Sequence, residues 1–171
     1  MPPDIGFRPV TAADLPMLAN WLARPHWRDW WGDPVEELSF IREMVEGRDS
    51  TRPYVFSVGG EDAGYIQVWF IADARIEPWL TQAPWVMALP DGAVGVDLSL
   101  ADPARLGQGV GSAVLAAFVT ELRAQGHREI WIDPDPANLR AVRAYARAGF
   151  REAPDLVGRT GDSLLMRYQG V

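Results

Sequence analysis

The run Arg105-Leu106-Gly107-Gln108-Gly109-Val110-Gly111-Ser112 sets three glycines at alternate positions, directly ahead of Ala113, Val114, Ala117, Phe118 and Leu122 at helical spacing. Glycine lets a backbone turn sharply and approach a ligand with no Cβ in between. The first amides of a helix lack internal partners, and the helix dipole there favours an anion. The chemistry this spacing supports is the holding of a phosphate or pyrophosphate. A P-loop is excluded, because no Lys-Ser or Lys-Thr follows the last glycine. The dinucleotide fingerprint fits at Gly107 and Gly109 but meets Ser112 where its third glycine belongs.

Two further groups of residues carry chemistry. Asp97 stands in the middle of Val94-Gly95-Val96-Asp97-Leu98-Ser99-Leu100, an apolar strand that leads into the glycine turn. A carboxylate there is costly unless paired or useful, so Asp97 is expected beside whatever the turn binds. His26-Trp27-Arg28-Asp29-Trp30-Trp31-Gly32-Asp33-Pro34 packs three tryptophans into five residues of what reads as a Pro/Gly-bounded loop. Aromatic faces on a loop suit sugar rings or cations, and they can also plug the core; the expectation divides them, some packing and one or two lining a site.

Composition narrows the class. The 171 residues fit one domain, 1–171, able to bury a core of its own. Sixteen basic against 23 acidic residues, a net charge of -7, argue against nucleic acid and suit a cationic substrate. With no cysteine there is no disulfide, thiolate nucleophile or cysteine metal site, and two histidines make a histidine-rich metal site implausible, so no metal is expected. Met1-Pro2-Pro3-Asp4 lacks the start of a secretory leader, and the longest apolar stretch, Ala113 to Val119, cannot span a bilayer. A cytoplasmic location follows as the expectation.

The elements that position these groups read in order. Ile5 to Val10 forms a first strand. Thr11-Ala12-Ala13-Asp14 resembles a capping box, opening a helix with Leu15, Leu18, Trp21 and Leu22 inward that Pro25 ends. A second helix runs from Val35 to Glu46, with Leu38, Ile41 and Val45 inward. Tyr54–Val58 and Gly64–Phe70 make an antiparallel pair turned by Gly59-Gly60-Glu61-Asp62, the second strand being central. Residues 72–91 read as an irregular connection holding Trp79 and Trp85, placed as a flap on the substrate side. Glu129–Asp133 returns parallel to the Asp97 strand after the long helix, which puts a ligand at the carboxyl ends of the two strands. Asp133-Pro134-Asp135-Pro136 leaves that end, a helix runs from Asn138 to Gly149, and two strands through Phe150 and Leu164–Tyr168 close the chain.

The strand, the turn from Gly107 to Gly111, the long helix and then Asn138-x-x-Ala141-x-x-x-Tyr145-x-x-x-Gly149-Phe150 together resemble the GNAT acyltransferase superfamily. One departure is Leu106, where the family's pattern usually begins with Gln or Arg. Asp29-Trp30-Trp31-Gly32, Gly95-Val96-Asp97 and Asp133-Pro134-x-Pro136-x-Asn138-Leu139-Arg140-Ala141 carry the resemblance further, to bacterial aminoglycoside 6′-N-acetyltransferases. Related siderophore-type lysine acyltransferases usually have histidine where Asp97 stands.

The resemblance implies an α/β (α+β) GNAT fold: a central, mixed but mostly antiparallel twisted sheet flanked by helices, with a parallel strand pair splayed at the acetyl-CoA site. It implies acetyl-CoA as cosubstrate and a small cationic amine, an aminoglycoside, as partner, in a monomer or homodimer. Leu98, Ser99, Leu100, Gly107, Gln108, Gly109, Val110, Gly111, Ser112, Asn138, Ala141 and Tyr145 would contact the cosubstrate. Backbone amides would cradle the pyrophosphate, and one near Leu98 would polarise the thioester. Asp97 would take the amine's proton and Tyr145 would protonate the leaving thiolate. Trp30, Trp31, Gln67, Asp97, Asp133, Asp135 and Asp162 would bind the amine. Two other activities remain in play: acetylation of a protein N-terminus or a lysine- or siderophore-type amine, and a non-catalytic acyl-CoA-binding module, against which Asp97 with Tyr145 argues.

Overall fold

Alternation along each strand sends successive side chains to opposite faces of a sheet, and here both faces are covered. The computed structural model describes residues 2–170. Its strands are β1 (Ile5–Pro9), β2 (Arg52–Val58), β3 (Glu61–Phe70), β4 (Val94–Leu100), β5 (Ile130–Ile132), β6 (Phe150–Glu152) and β7 (Met166–Tyr168). They form one sheet in the order β1-β2-β3-β4-β5-β7-β6. Neighbours run antiparallel except β4 and β5, which are parallel and pair only at Val94–Ile130 and Gly95–Trp131. Beyond Gly95 the two strands part, as the fold class requires.

Helices α5 (Val110–Ala124) and α6 (Leu139–Arg147) cover one face, where Val114, Phe118 and Leu122 pack on Phe56, Ile66 and Val96. Helices α1 (Leu15–Leu22), α2 (Pro25–Trp31) and α3 (Pro34–Val45) cover the other, against Val55 and Tyr65. Adjacent residues of β2 and of β3 thus serve different cores. The parity places Tyr65, Gln67 and Trp69 of β3 on the α1–α3 side, together with Asp97 of β4, which is Gln67's direct partner. Asp97 therefore faces away from α5. Gly95, opposite Trp69, is a close-approach glycine: a Cβ there would lie 2.1 Å from the Trp69 indole.

The structure corrects four local expectations. Residues 25–31 are a helix, not a loop. Pro25 does not end α1, which stops at Leu22; it occupies the first turn of α2 with its fixed φ, after an extended Arg24. Gly32, at φ 102, stops α2. The proline and glycine that read as loop punctuation are a helix's start and stop signals. The hairpin turn is Gly59-Gly60 alone, both at positive φ, so β3 begins at Glu61. Thr11–Asp14 form the expected box, the Asp14 carboxylate accepting from the Thr11 amide at 2.9 Å, but a 3-10 turn precedes α1. Residues 72–91 are mostly short helical turns, including the four-residue helix α4 (Trp79–Gln82). Their Trp85, Val86 and Leu89 pack on Trp131 and Leu165.

Candidate active site

The gap between β4 and β5 opens into a cleft of about 370 Å³, lined by Leu98, Ser99 and Leu100 on one wall and Asn138, Ala141 and Tyr145 of α6 on the other. Gly107, Gly109, Gly111 and Ser112 form its far end. Gly107 and Gly109 sit at φ 76 and 84, a region that favours glycine, and Gly109 is the residue before α5. A Cβ at any of the three glycines would point into open space, so their backbone is uncovered toward the cleft. Ser112 turns its hydroxyl away, donating to the Ala144 carbonyl at 2.9 Å, and Arg147 Nε donates to the Ser112 hydroxyl oxygen at 3.4 Å. A pyrophosphate fits here: exposed amides, a helix N-terminus and a nearby guanidinium.

The strand edge fits the rest of a pantetheine thioester. Ala101 N–H donates to the Ala63 carbonyl at 2.9 Å, which fixes the alternation along β4. Residues 97, 99 and 101 turn their peptide groups to β3; Leu98 and Leu100 turn theirs to the gap. The Leu98 amide thus faces the place where the cleft meets Asp97.

A second cavity of about 490 Å³ lies on the α3 side of β3 and β4. Phe40, Trp69, Trp79 and Trp85 wall it, Phe40 and Trp79 meeting edge-on with centroids 5.3 Å apart. The two chambers share four residues, Glu37, Gln67, Asp97 and Asp133. Here the Tyr65 hydroxyl donates to Gln67 Oε1 at 2.6 Å, which orients the amide so that Gln67 Nε2 donates to Asp97 Oδ2 at 2.9 Å. Tyr65 has no solvent exposure, so this chain of donors is held rigidly.

Burial governs the acids. It raises Asp97, with donors from Gln67 and Trp69 pulling the other way, and it raises Asp133, which also feels the charge of Asp97. The pair holds a proton more tightly than an isolated carboxylate. Glu37 is pushed up to about 7 by burial, then by the charges of Asp97 and Glu36. Tyr145 is raised by burial and by Asp97 and Asp133, so its phenol stays a neutral donor. A cation entering between these carboxylates reverses the repulsion. Among the described residues, no group of three or more His, Asp or Glu is arranged to hold a metal ion.

Trp30, Trp31, Gln67, Asp97, Asp133, Asp135, Asn138 and Tyr145 all line this cleft. The tryptophans divide: Trp27 is fully buried, whereas Trp30 is 41% exposed and lines the cleft with Trp31, which also packs on Tyr65. Three expected residues put no side chain into either chamber. Gln108 folds back on the Ala104 carbonyl, Val110 packs on the core, and Asp162 sits on an exposed turn. Glu37 was not foreseen. Its signal is the spacing to Ile41 and Met44, four and seven residues on, which puts it on the inward face of α3. His26, Arg140 and Arg147 also line the cofactor cleft. His26 shares a helical face with Trp30, a relation visible only once α2 is a helix.

Residues 10–157 match the family model described as an acetyltransferase (GNAT) domain. The aminoglycoside N(6')-acetyltransferase type 1 of Klebsiella pneumoniae is 32% identical over 170 residues, spanning 95% of this chain and 82% of that protein. The lysine N-acyltransferase MbtK of Mycobacterium tuberculosis is 28% identical across 86% of this chain and 69% of its own length. Among solved structures, the aminoglycoside acetyltransferase AAC(6')-Ib in complex with coenzyme A and kanamycin superposes with a TM-score of 0.80 at 31% identity, over 97% of this chain and 95% of that one. The same protein with paromomycin and acetyl-CoA gives 0.79 at 30% identity, with 97% and 93% covered. The open glycine turn, the unpaired β4 edge and these likenesses agree: the chain belongs to the GNAT acetyltransferase family.

Proposed function

We propose that the protein transfers the acetyl group of acetyl-CoA to the 6′-amine of an aminoglycoside, by direct attack with both substrates bound. The observation that carries this reading is the junction: the carboxylates of Glu37, Asp97 and Asp133 stand where a phosphate-accepting cleft meets an aromatic-walled chamber. Aromatic walls take the apolar faces of sugar rings, and clustered acids take ammonium groups.

Each residue has a defined task. The amides of Gly107 to Ser112 hold the pyrophosphate, and the Leu98 amide faces the thioester carbonyl, where negative charge develops. Asp97, held by Gln67, binds the ammonium; one proton leaves to solvent to free the attacking amine, and Asp97 accepts the second as the amide forms. Tyr145 gives its phenolic proton to the sulfur as the C–S bond breaks. Asp133 and Glu37 compensate the substrate's charge, and Trp30 and Trp31 border its entry.

Acetyl-CoA-dependent thiol release tests the reading. Kanamycin A, with a 6′-amine, should be turned over; paromomycin, with a 6′-hydroxyl, should not. Release with both would move the acetylated position. Release with neither, but with lysine side-chain amines, would favour the acyltransferase reading that the 28% identity to MbtK supports.

A further inference from the structure

The free edge of β4 has an unbalanced set of hydrogen-bonding groups. Leu98 N–H, Leu98 C=O and Leu100 N–H face the gap, by the alternation that the Ala101–Ala63 bond fixes. The Leu100 carbonyl faces the same way but is taken. His26 Nε2 lies 2.7 Å from its oxygen and the Trp27 indole Nε1 donates to it at 2.9 Å. A carbonyl oxygen has two lone pairs, and both are engaged. A pantetheine arm laid along this edge as an added strand has two amide groups. With the thioester carbonyl on the Leu98 N–H, one amide carbonyl finds the Leu100 N–H. The arm's two N–H groups find the Leu98 carbonyl and a saturated one.

The same contact supplies a replacement. Because the Leu100 oxygen can only accept, His26 Nε2 carries a proton, and in the tautomer with this single N–H the other ring nitrogen, Nδ1, is an acceptor. The ring lines the cofactor cleft, and its neighbour Trp27, fully buried, anchors α2 to the strand end. β4 runs from Asp97 towards Leu100 and the glycine turn, so the thioester belongs at the Asp97 end and the phosphates beyond Leu100.

We propose that His26 is a positioning residue for the cosubstrate: its Nδ1 accepts the pantetheine amide N–H nearer the pyrophosphate, in place of the saturated Leu100 carbonyl. The assignment rests on CoA occupying this cleft and on nothing about the acceptor amine.

The experiment is calorimetric titration of CoA with no amine present, so a wrong acceptor assignment cannot disturb it. In His26→Gln the side-chain amide keeps a donor for Leu100 but leaves no acceptor at the Nδ1 position. CoA binding should weaken about fivefold, the scale of one hydrogen bond, with the melting temperature unchanged. The second ligand is a CoA analogue with an ester oxygen in place of that amide N–H. Wild type should bind the analogue about fivefold more weakly than CoA; H26Q should distinguish the two by less than twofold. A H26Q variant that binds CoA like wild type, or one that loses the same factor to the ester, overturns the assignment. Should H26Q melt early, His26→Asn decides. It carries an acceptor near the Nδ1 position and must discriminate the ligands as wild type does; equal binding of both would sink the proposal. Absence of CoA binding to the wild type would overturn it together with the cofactor assignment, a result distinct from either.

Discussion

The two chambers that meet at Asp97 are made of different material. The cofactor cleft offers backbone groups, from the edge of β4, a turn at positive φ and the first amides of α5, beside side chains of α2 and α6. The acceptor chamber is largely side chains, contributed by α3, β3, the 72–91 segment, β4 and the end of β5. A backbone site is set by the fold, so it tolerates many side-chain changes but not a residue that forces its turn out of positive φ. A side-chain site can change its ligand one substitution at a time while the fold stays as it is. The similar proteins carry names as different as aminoglycoside acetyltransferase and lysine acyltransferase.

The largest effect is expected where the chambers meet. Asp97→Asn should lower kcat by about 10²–10⁴-fold, the range of a lost general base, while CoA titrates as in wild type. A kcat within threefold of wild type would place the proton acceptor elsewhere. The next effect belongs to the backbone side. Gly109 holds φ 84, and Gly126, just past the far end of α5, holds φ 99. A β-branched residue at either position carries about 1–2 kcal/mol of left-handed strain. Gly109→Val should raise the CoA Kd about tenfold or more, because the turn must leave the conformation that aims its amides. Gly126→Val carries the same strain outside the cleft and should lower the melting temperature alone. Equal CoA affinities in the two variants would mean that the turn does not hold the cofactor.

The same division explains what was legible in the sequence. A backbone site is contiguous, so the stretch from Gly107 to Ser112 and the Asn138–Tyr145 spacing announced it. Asp97 was legible because a carboxylate in an apolar strand is anomalous. The β2–β3 hairpin and the parallel β4–β5 pair followed from strand spacing and the long crossover helix, whereas the place of β7 between β5 and β6 did not. Glu37 was hidden, because a glutamate on a surface helix reads as solvated until Tyr65, Gln67 and Asp97 are packed beneath it. The division among Trp27, Trp30 and Trp31 was expected, but the helix α2 that produces it was not. Pro25 and Gly32 mark its ends with residues that mark loops equally well. The role of Tyr65 in turning Gln67 toward Asp97 depends on strand register, which spacing alone does not supply.

Within the acceptor side, Glu37 offers a smaller and pH-dependent test. Its pKa is raised from 4.5 to about 7, so the carboxylate is neutral below that range and charged above it. An ammonium substrate prefers the charged form. The acceptor KM should therefore fall several-fold as pH rises from 6 to 8, and Glu37→Gln should flatten that part of the profile. Stability runs the other way. Below about 4.5 both folded and unfolded chains carry the proton, so the glutamate costs nothing. As pH rises through 7 the unfolded chain has released its proton and the folded chain must follow against burial. E37Q should melt with wild type at pH 4 and above it at pH 8. A melting difference independent of pH would remove Glu37 from the buried cluster.

The smallest effect should come from Asp162, and it tests where the acceptor chamber ends. Sequence resemblance assigned this residue to the substrate, yet it lies on an exposed turn outside both chambers. The turn is nonetheless tied to the site. The buried Thr160 hydroxyl donates to the Ser163 carbonyl at 2.6 Å, and the Leu164 amide donates to the carbonyl of Pro134, beside Asp133, at 2.9 Å. If the chamber has the walls described, Asp162→Asn removes one solvated charge and should change the acceptor KM by less than about twofold, as surface substitutions do. If the acceptor KM instead rises as far as in E37Q, with CoA binding unchanged, the 160–163 turn is a third wall of the acceptor side. The contrast between a compact backbone cleft and a side-chain chamber would then sharpen, because the acceptor side would draw on yet another part of the chain.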